Sequence, residues 1–408
     1  MAAGGDALAR AEDGRVMFVE GALPGERVRV TIVEQRRDFL RGRTVEVVDA
    51  SPDRVVPFCP HVSDGCGGCD WQHVSLSKQA ELKRGVVVDS LRRIAKIDAA
   101  DLVGIASSAS DRSYRTTVRT AVVEGRAAYR RRSSHDLIVV GSCAVAHPLI
   151  ERALVRGRFP GNDVVIRVEP KSGQLVVIVD GDVSEAILAS DLDAVVLSVW
   201  PGIDESSLGT TLHEIDGVTL QVSARAFFQT HHAGAEDLVR VVDRAAGSGA
   251  VLVDLYGGVG LFAATVGRRF DRVVSVERNA VSSADAQENL ASRSGASAVT
   301  ADVDQWRCPS ELAALDDVVV VADPARGGLG RAGVDAVKSC DADRVVLVSC
   351  DPASLGRDAG LLATAGFCLT RCELVDMFPH TSHVETVSTF GRATAEPASG
   401  GAVGDVAV

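Results

Sequence analysis

The stretch that decides the fold is Val251-Leu-Val-Asp-Leu-Tyr-Gly-Gly-Val-Gly260. It reads as a buried strand that runs into a glycine-rich turn and the start of a helix. Further Val- and Leu-rich runs alternate with helical stretches downstream, at residues 272–276, 298–301, 318–321 and 345–348. Buried runs separated by helices predict an α/β fold with a doubly wound, mostly parallel sheet covered on both faces.

The last two apolar runs, residues 367–375 and 383–390, have no helix between them. We therefore expect them to pair antiparallel at the edge of the sheet. The tail at residues 393–408 is rich in Gly, Ala and Ser, and we expect it to be disordered.

Acidic residues recur where the strands of this sheet end. Glu277 ends the second strand, and Asp302 and Asp323 follow the third and fourth. The carboxyl edge of such a sheet is where ligands bind, and a carboxylate there can accept both hydroxyls of a ribose. A dinucleotide-binding fold also combines a glycine-rich turn with a later acid that binds the ribose. However, Gly258 and Gly260 do not fit the G-x-G-x-x-G spacing of that fold. Acids at successive strand ends favour a nucleoside cofactor, which we expect to be S-adenosylmethionine.

Composition describes a water-soluble chain of several domains. The 408 residues are 46% hydrophobic and 24% charged. No apolar run approaches the ~20 residues needed to span a bilayer, and the acidic N-terminal segment lacks the apolar core of a signal peptide. We therefore expect a cytoplasmic protein without a membrane partner. In that compartment nine cysteines indicate metal ligands, catalytic thiols or core residues rather than disulfides.

The net charge of −12 argues weakly against a nucleic-acid partner. Residues 111–132 nevertheless contain seven arginines against only Asp111 and Glu124. This segment could follow a phosphate backbone, or it could be a solvated strand face; charge alone does not choose between them.

Cys350 lies just past the fifth strand, in Val348-Ser-Cys-Asp-Pro352. A lone cysteine there is more often a small buried hydrophobe than a nucleophile. Other motifs accompany it in order: Phe227-Phe-Gln229, Asp323-Pro-Ala-Arg326 and His383-Val-Glu385. With these motifs the chain resembles the RNA 5-methyluridine methyltransferases, from residue 4 to about residue 392.

The resemblance implies a class I fold, S-adenosylmethionine as methyl donor, Cys350 as nucleophile and Glu385 as base. It also implies ligands of the cofactor or the target base at six positions: Gln229, Tyr256, Gly258, Glu277, Asp302 and Asp323. The residue types suit the chemistry, because a thiolate adding to C6 of uracil makes C5 nucleophilic. A base must then remove the C5 proton so that sulfur can leave.

Three thiols lie close together in Cys59-Pro-His-Val-Ser-Asp-Gly-Cys66-Gly-Gly-Cys69, and Cys143 can supply a fourth. By residue type the set suits tetrahedral zinc, with His61 or His73 as possible ligands, or an iron–sulfur cubane. Family members with this loop and a distant cysteine before V-x-x-P hold a 4Fe–4S cluster, so the resemblance favours the cluster over zinc. We expect the cluster to be structural and both histidines to be hydrogen-bonding loop residues.

The N-terminal segment Asp13-Gly-Arg-Val-Met-Phe-Val-Glu-Gly-Ala-Leu-Pro-Gly-Glu26 resembles the TRAM RNA-binding barrel, whose usual first strand has no evident counterpart before Gly4. We therefore divide the chain into a TRAM-like β-barrel (1–56), a central RNA-binding domain with the cluster (57–234), a methyltransferase domain (235–392) and the tail (393–408). We expect a monomer.

Three alternatives stay open. A 5-methylcytidine methyltransferase would carry a second cysteine where this chain has Asp323-Pro-Ala-Arg, and a non-catalytic RNA-binding or assembly protein would not need Cys350, Glu385 and Gln229. The RNA could also be transfer RNA. Ribosomal RNA is favoured, because the bacterial folate-independent transfer-RNA members lack the barrel and the cluster.

Overall fold

The computed structural model describes residues 1–108, 110–198 and 209–393, and the sheets and helices below lie within these ranges. The described strands form sheets of four, six, two and eight strands. None of the described helices is long and apolar enough to cross a membrane. Most of the predicted tail, residues 394–408, lies outside the described residues.

The N-terminal sheet has the strand order β1-β2-β4-β3, with β1 (Ala7–Arg10), β2 (Val16–Glu20), β3 (Arg27–Gln35) and β4 (Phe39–Asp49). Within this sheet the four-residue strand β1 pairs antiparallel with β2. Its core is small and centres on Ala7, Val19 and Ala22.

The cysteine loop leads into α1 (Leu76–Ser90), a π-helical turn (Leu91–Ala95) and β5 (Val103–Ser108). These elements pack on the C-terminal sheet, where β5 adds parallel to a late strand and forms its outer edge. Helix α1 therefore lies with the C-terminal sheet and not with the sheet that follows it in sequence.

The six-stranded central sheet runs β11-β10-β9-β6-β7-β8. Its strands are β6 (Thr117–Val123), β7 (Arg126–Arg130), β8 (Leu137–Val139), β9 (Asp163–Val168), β10 (Leu175–Val179) and β11 (Ala194–Ser198). Helix α2 (Pro148–Arg156) covers one face through Ile150 and Leu154. Strand β11 ends at Ser198, and the next residue lies outside the described residues.

A hairpin of β12 (Thr210–Ile215) and β13 (Val218–Ser223) precedes α3 (His232–Ala246). Ile215, Leu220 and Val222 share one buried cluster with α3 and the C-terminal sheet. The hairpin therefore packs with the C-terminal sheet, although its sequence lies before residue 235.

The eight-stranded sheet has the order β16-β15-β14-β17-β18-β20-β19-β5. Its C-terminal strands are β14 (Gly249–Leu255), β15 (Phe270–Glu277), β16 (Ala296–Thr300), β17 (Val318–Ala322), β18 (Arg344–Ser349), β19 (Phe367–Asp376) and β20 (Thr386–Arg392). The crossover helices are α4 (Leu261–Thr265), α5 (Ala280–Leu290), α6 (Ser310–Ala313), α7 (Gly330–Ser339) and α8 (Pro352–Thr364).

Strands β14 to β18 are mutually parallel, and β20 is antiparallel to both of its neighbours. Buried clusters cover both faces of the sheet, which explains the continuous Val and Leu runs. The predicted doubly wound sheet and its antiparallel pair are confirmed. The pair is not at the outer edge, because β5 lies beyond β19.

Candidate active site

The turn after β14 is shaped by residues with positive φ. Tyr256, Gly258 and Gly260 have φ of +58°, +55° and +83°. A Cβ at Gly257 would lie 2.1 Å from the Ser275 hydroxyl oxygen, so any side chain there would force that hydroxyl to move. The chain therefore turns sharply into α4, and the turn leaves its backbone open to a ligand at the carboxyl edge.

Glu277 ends β15 beside this turn. Its Oε2 accepts a hydrogen bond from the Gly258 amide at 3.1 Å, and its Oε1 accepts from the Asn279 amide at 2.6 Å. Each carboxylate oxygen has a second acceptor site. Glu277 is thus held in place and retains capacity to accept hydroxyl protons from a ligand.

Asp302 and Asp323 complete the acidic edge. Asp302 Oδ1 accepts from the Asp304 amide at 3.1 Å, which fixes the turn after β16. The Asp323 amide donates to the Leu255 carbonyl at 3.3 Å, so Asp323 lies next to the glycine turn. Burial raises the pKa of the Asp323 carboxyl to about 7.

Asp254, the fourth residue of the opening stretch, is the acid at the end of the first strand; it was not predicted to be a ligand, and it is fully buried under the turn. Its Oδ2 accepts from the Ala263 amide at 3.0 Å, whereas its Oδ1 has no partner among the described residues. Burial raises the pKa of its carboxyl to about 8. The carboxylate stabilises the start of α4; an acid at the end of the first strand was the signal available.

Cys350 and Glu385 are brought together by the register of β18 and β20. Ser349 pairs with Thr386 in this antiparallel ladder, and the Thr386 hydroxyl donates to the Ser349 carbonyl at 3.1 Å. The next residue outward is Cys350 on one strand and Glu385 on the other. The two side chains named from separate motifs therefore leave the sheet at the same point.

Electrostatics confirms that the thiol and the acids are neighbours. Burial, Glu385 and Asp323 together raise the pKa of the Cys350 thiol to about 11, while Arg326 acts to lower it. Asp351, the acid next in sequence, instead accepts from the Ser354 amide at 2.7 Å and caps α8. The acids that raise the thiol pKa are therefore Glu385 and Asp323.

The Glu385 carboxyl is buried, with 4% of the residue exposed. Its Oε1 is buried without a hydrogen-bond partner among the described residues. Burial raises its pKa well above the usual range, and repulsion from Asp323 adds to this. An unpartnered carboxyl beside a thiol is costly for folding and is available to a substrate.

Gln229 lies on the loop between β13 and α3 and is half-buried. Of its two phenylalanine neighbours, Phe228 packs against the His213 ring at 4.6 Å, whereas Phe227 is 70% exposed. The loop is anchored from beneath, because the buried Arg167 guanidinium donates to the Ser223 and Ala226 carbonyls.

The four predicted cysteines, Cys59, Cys66, Cys69 and Cys143, line a single cavity with a volume of about 30 Å³. All four are free thiols, and burial raises the pKa of Cys69 to about 12. Within the described part of the chain no three His, Cys, Asp or Glu side chains are arranged to hold a metal ion.

One cationic side chain and one polar side chain also line this cavity. The Arg115 side chain lines it, and its Nε is buried without a hydrogen-bond partner among the described residues. The Tyr129 hydroxyl lies 3.8 Å from the Cys143 sulfur. A positive charge and a hydroxyl beside four thiols suit a thiolate-bound anionic group.

His61 and His73 behave differently. His61 is a hydrogen-bonding loop residue, as predicted: its Nδ1 lies 3.1 Å from Asp64, and its Nε2 accepts from the Gly141 amide at 3.0 Å. His73 lies outside the cavity lining, and its Nε2 is buried with no partner in the described ranges. His73 was predicted to hydrogen-bond the loop, but its Nε2 makes no such bond among the described residues.

The arginines of residues 111–132 lie in different surroundings. Arg112 stacks on Phe58 at 3.3 Å, and Arg132 bridges to Asp6 of the N-terminal sheet at 3.1 Å. Arg115 lines the cysteine cavity, while Arg130 and Arg131 are exposed. Several of these arginines therefore have structural partners that charge counting could not reveal.

The sheet order, the glycine turn and the acids at the strand ends define a class I, S-adenosylmethionine-dependent methyltransferase. Comparisons with known proteins agree. The family description tRNA (Uracil-5-)-methyltransferase matches residues 217–392, and the TRAM domain matches residues 3–45.

Relatives match almost the whole chain. An uncharacterized RNA methyltransferase of Streptomyces coelicolor is 34% identical, covering 98% of this chain and 92% of the relative. The 23S rRNA (uracil(1939)-C(5))-methyltransferase RlmD of Methylococcus capsulatus is 32% identical and covers 93% of both chains. This chain belongs to the RNA (uracil-5-)-methyltransferase family.

A solved structure shares the fold. The tRNA (uracil-54, C5)-methyltransferase of Pyrococcus abyssi, solved with S-adenosyl-L-homocysteine, has a TM-score of 0.70 at 21% identity, over 95% of this chain and 100% of that one.

Proposed function

We propose that this enzyme methylates C5 of a uridine in ribosomal RNA, with Cys350 as a covalent nucleophile and Glu385 as the base. The observation that carries the proposal is the pairing of Ser349 with Thr386, which sets the thiol opposite a buried carboxyl with an unpartnered oxygen. Asp323 lies beside them at the carboxyl edge of the sheet, next to the glycine turn.

In the first step the Cys350 sulfur, as thiolate, forms a bond to C6 of the uracil. The electron pair of the C5–C6 double bond moves into the ring and makes C5 an enolate-type carbon. S-adenosylmethionine supplies the methyl group that C5 takes, leaving S-adenosylhomocysteine. Arg326 favours the thiolate, because its positive charge lowers the thiol pKa against the effect of burial.

In the second step Glu385 takes the proton from C5. The electron pair of that C–H bond re-forms the C5–C6 double bond, and the Cys350 sulfur leaves with the pair of the C6–S bond. Burial and Asp323 raise the Glu385 pKa, which strengthens the carboxylate as a base. The target base must leave its stack to reach this edge.

Gln229, Tyr256, Gly258, Glu277, Asp302 and Asp323 are the proposed ligands of the cofactor or the target base. All of them except Gln229 lie at strand ends or in the glycine turn at one edge of the sheet, as ligands of such folds do. Glu277 is the proposed acceptor of the ribose hydroxyls, since it is fixed by two backbone amides and retains acceptor capacity.

Cys59, Cys66, Cys69 and Cys143 are proposed to hold a 4Fe–4S cluster. Four thiols around one cavity fit the cubane's ligand set, and the unpartnered Arg115 Nε offers a charge to the anionic cluster. Its role would be to hold the loop at residues 57–70, because uracil methylation transfers no electrons. Anaerobically purified protein should contain about four irons per chain with labile sulfide; stoichiometric zinc without sulfide would favour the alternative site.

We keep the domain assignment as a proposal: a TRAM-like domain (1–56), a central cluster domain (57–234) and a methyltransferase domain (235–392). The packing of α1, β5 and the β12–β13 hairpin on the C-terminal sheet indicates that these functional units share structural elements. The cytoplasmic location and the monomeric state stay predictions.

Ribosomal RNA is favoured as substrate because the Methylococcus relative acts on 23S rRNA and matches both chains over 93% of their length. Transfer RNA is the second candidate, since the Pyrococcus enzyme acts on tRNA and aligns over its entire length. Mapping 5-methyluridine in 23S rRNA and in tRNA from a deletion strain decides between them. Loss from 23S rRNA alone supports the proposal, and loss from tRNA alone contradicts it.

Catalysis itself is tested by tritium release from RNA labelled at C5 of uridine. Wild-type protein should release tritium in proportion to the methyl groups transferred, and Cys350→Ala should release none. Binding of RNA without release by wild-type protein would instead support a non-catalytic RNA-binding protein.

A further inference from the structure

Glu385 ends a nine-residue segment, residues 377–385, that joins β19 to β20 without regular structure. The Glu385 backbone is held at the sheet edge, since its carbonyl accepts from the Val375 amide at 2.9 Å. The eight residues before it need contacts from elsewhere, and a misplacement of ~1 Å at a general base can cost roughly 100-fold in rate. The described contacts converge on one residue of the segment, His380, which is buried with 5% of its surface exposed.

The His380 backbone is strained and clamped on both sides. Its φ is +65°, a left-handed conformation that a side chain of this size adopts only when its surroundings impose it. Its amide donates to Gln79 Oε1 of α1 at 2.7 Å, and its carbonyl accepts from the Trp71 amide at 2.9 Å. The Gln79 side-chain Nε2 also donates to the Trp71 carbonyl at 3.3 Å, which ties the two clamping residues together.

The imidazole ring is held as well. Its Nδ1 faces the Gln79 Nε2 at 3.3 Å, and its Nε2 lies 3.2 Å from Asp111 Oδ2. Since an amide nitrogen can only donate, Nδ1 is the acceptor and Nε2 donates to the carboxylate. The Phe58 ring meets the imidazole edge-on at 4.9 Å.

The flanking residues are anchored from the same side. The buried Lys83 ammonium donates to Asp376 Oδ1 at 2.6 Å and to the Phe378 carbonyl at 2.9 Å. The Ser382 amide donates to Asp70 Oδ1 at 2.9 Å. The whole segment is therefore held against α1 and the cysteine loop.

Three of these contacts come from residues adjacent in sequence to cavity cysteines. Phe58 precedes Cys59, and Asp70 and Trp71 follow Cys69. We propose that His380 is a positioning residue that holds Glu385 at the Cys350 thiol, and that its clamp transmits the order of the cysteine loop to the active site. This inference rests on the base assignment proposed above for Glu385.

The kinetic test compares His380→Gly with wild-type enzyme in single turnover. Glycine accepts φ of +65° and keeps both backbone hydrogen bonds, so this variant removes the ring contacts without adding strain. The expected result is C5-proton release slowed about 10–100-fold, with formation of the RNA adduct within threefold of wild type and cofactor affinity unchanged. His135→Gly, at an exposed histidine of the β7–β8 turn, is the matched control.

A folded His380→Gly variant that loses adduct formation and proton release by the same factor overturns the positioning role. Should that variant fail to fold, His380→Asn serves instead, because asparagine tolerates positive φ. In His380→Asn the same split between the two steps is expected, and wild-type rates for both steps overturn the proposal.

Hydrogen exchange on the full-length chain, in the absence of turnover, tests whether the order of the cysteine loop affects the His380 segment. Cys69→Ser should accelerate exchange of the His380 and Ser382 amides at least tenfold, while the amides of β14 keep their protection. Unchanged protection of the His380 amide overturns the link. If wild-type protein makes no 5-methyluridine, the proposed function fails, whereas the exchange result still reports whether the clamp exists.

Discussion

The pH dependence of Cys350 reactivity follows from its surroundings. With a thiol pKa of about 11, roughly one Cys350 in 3,000 is a thiolate at pH 7.5, and the fraction rises about tenfold per pH unit. Reaction with iodoacetamide should therefore accelerate about tenfold per unit from pH 7 to pH 10 without reaching a plateau. Mass spectrometry of the Cys350 peptide gives the rate at each pH, and the exposed thiol of Cys368 in the same digest calibrates the reagent.

The same assay separates the causes of the shift. Glu385→Gln removes the largest charge that raises the thiol pKa after burial, so its Cys350 should react faster than wild type at pH 9. Arg326→Gln removes a charge that lowers the pKa, so its Cys350 should react more slowly. A wild-type plateau reached below pH 9 would refute this reading of the site, because burial and the two acids would then not control the thiol.

Three further outcomes are expected. Gly257→Ala should weaken S-adenosylmethionine binding at least tenfold in calorimetry, since its Cβ would meet the Ser275 hydroxyl. Adding Ser275→Gly should restore binding. If the double variant still binds weakly, the clash lies with another residue. Lys83→Met should lower the free energy of unfolding by about 3–5 kcal/mol by leaving Asp376 buried and unpaired, and adding Asp376→Leu should recover stability in the same denaturant titration. If the proposed cluster is present, Cys66→Ser should lose the visible absorbance and the iron that wild-type protein carries; retained iron at wild-type content would exclude this ligand.

The sequence predicted the parts of the site that depend on local pattern. Val and Leu runs predicted the parallel strands, and the acids Glu277, Asp302 and Asp323 lie at the strand ends where they were expected. The meeting of Cys350 with Glu385 could be inferred only through family resemblance, because it depends on the register of two strands that are far apart in sequence.

The sequence pattern could not predict the long-range contacts. Charge counting could not distinguish Arg115, which lines the cysteine cavity, from the exposed Arg130. Nor could it assign β5 to the edge of the C-terminal sheet, since that pairing joins residues separated by more than half the chain. The His380 clamp likewise consists of partners from α1 and the cysteine loop, about 300 residues away by number.

The central claim, covalent methylation through Cys350 with Glu385 as the base, is tested most directly by the mass of denatured Glu385→Gln after reaction with RNA and S-adenosylmethionine. Glutamine differs little in size from glutamate, and it cannot take the C5 proton, a loss that typically costs about 10²–10⁴-fold in rate. The account predicts an RNA–protein adduct that survives denaturation, with 5-methyluridine bonded to the Cys350 peptide. Free enzyme together with unmethylated RNA would contradict it.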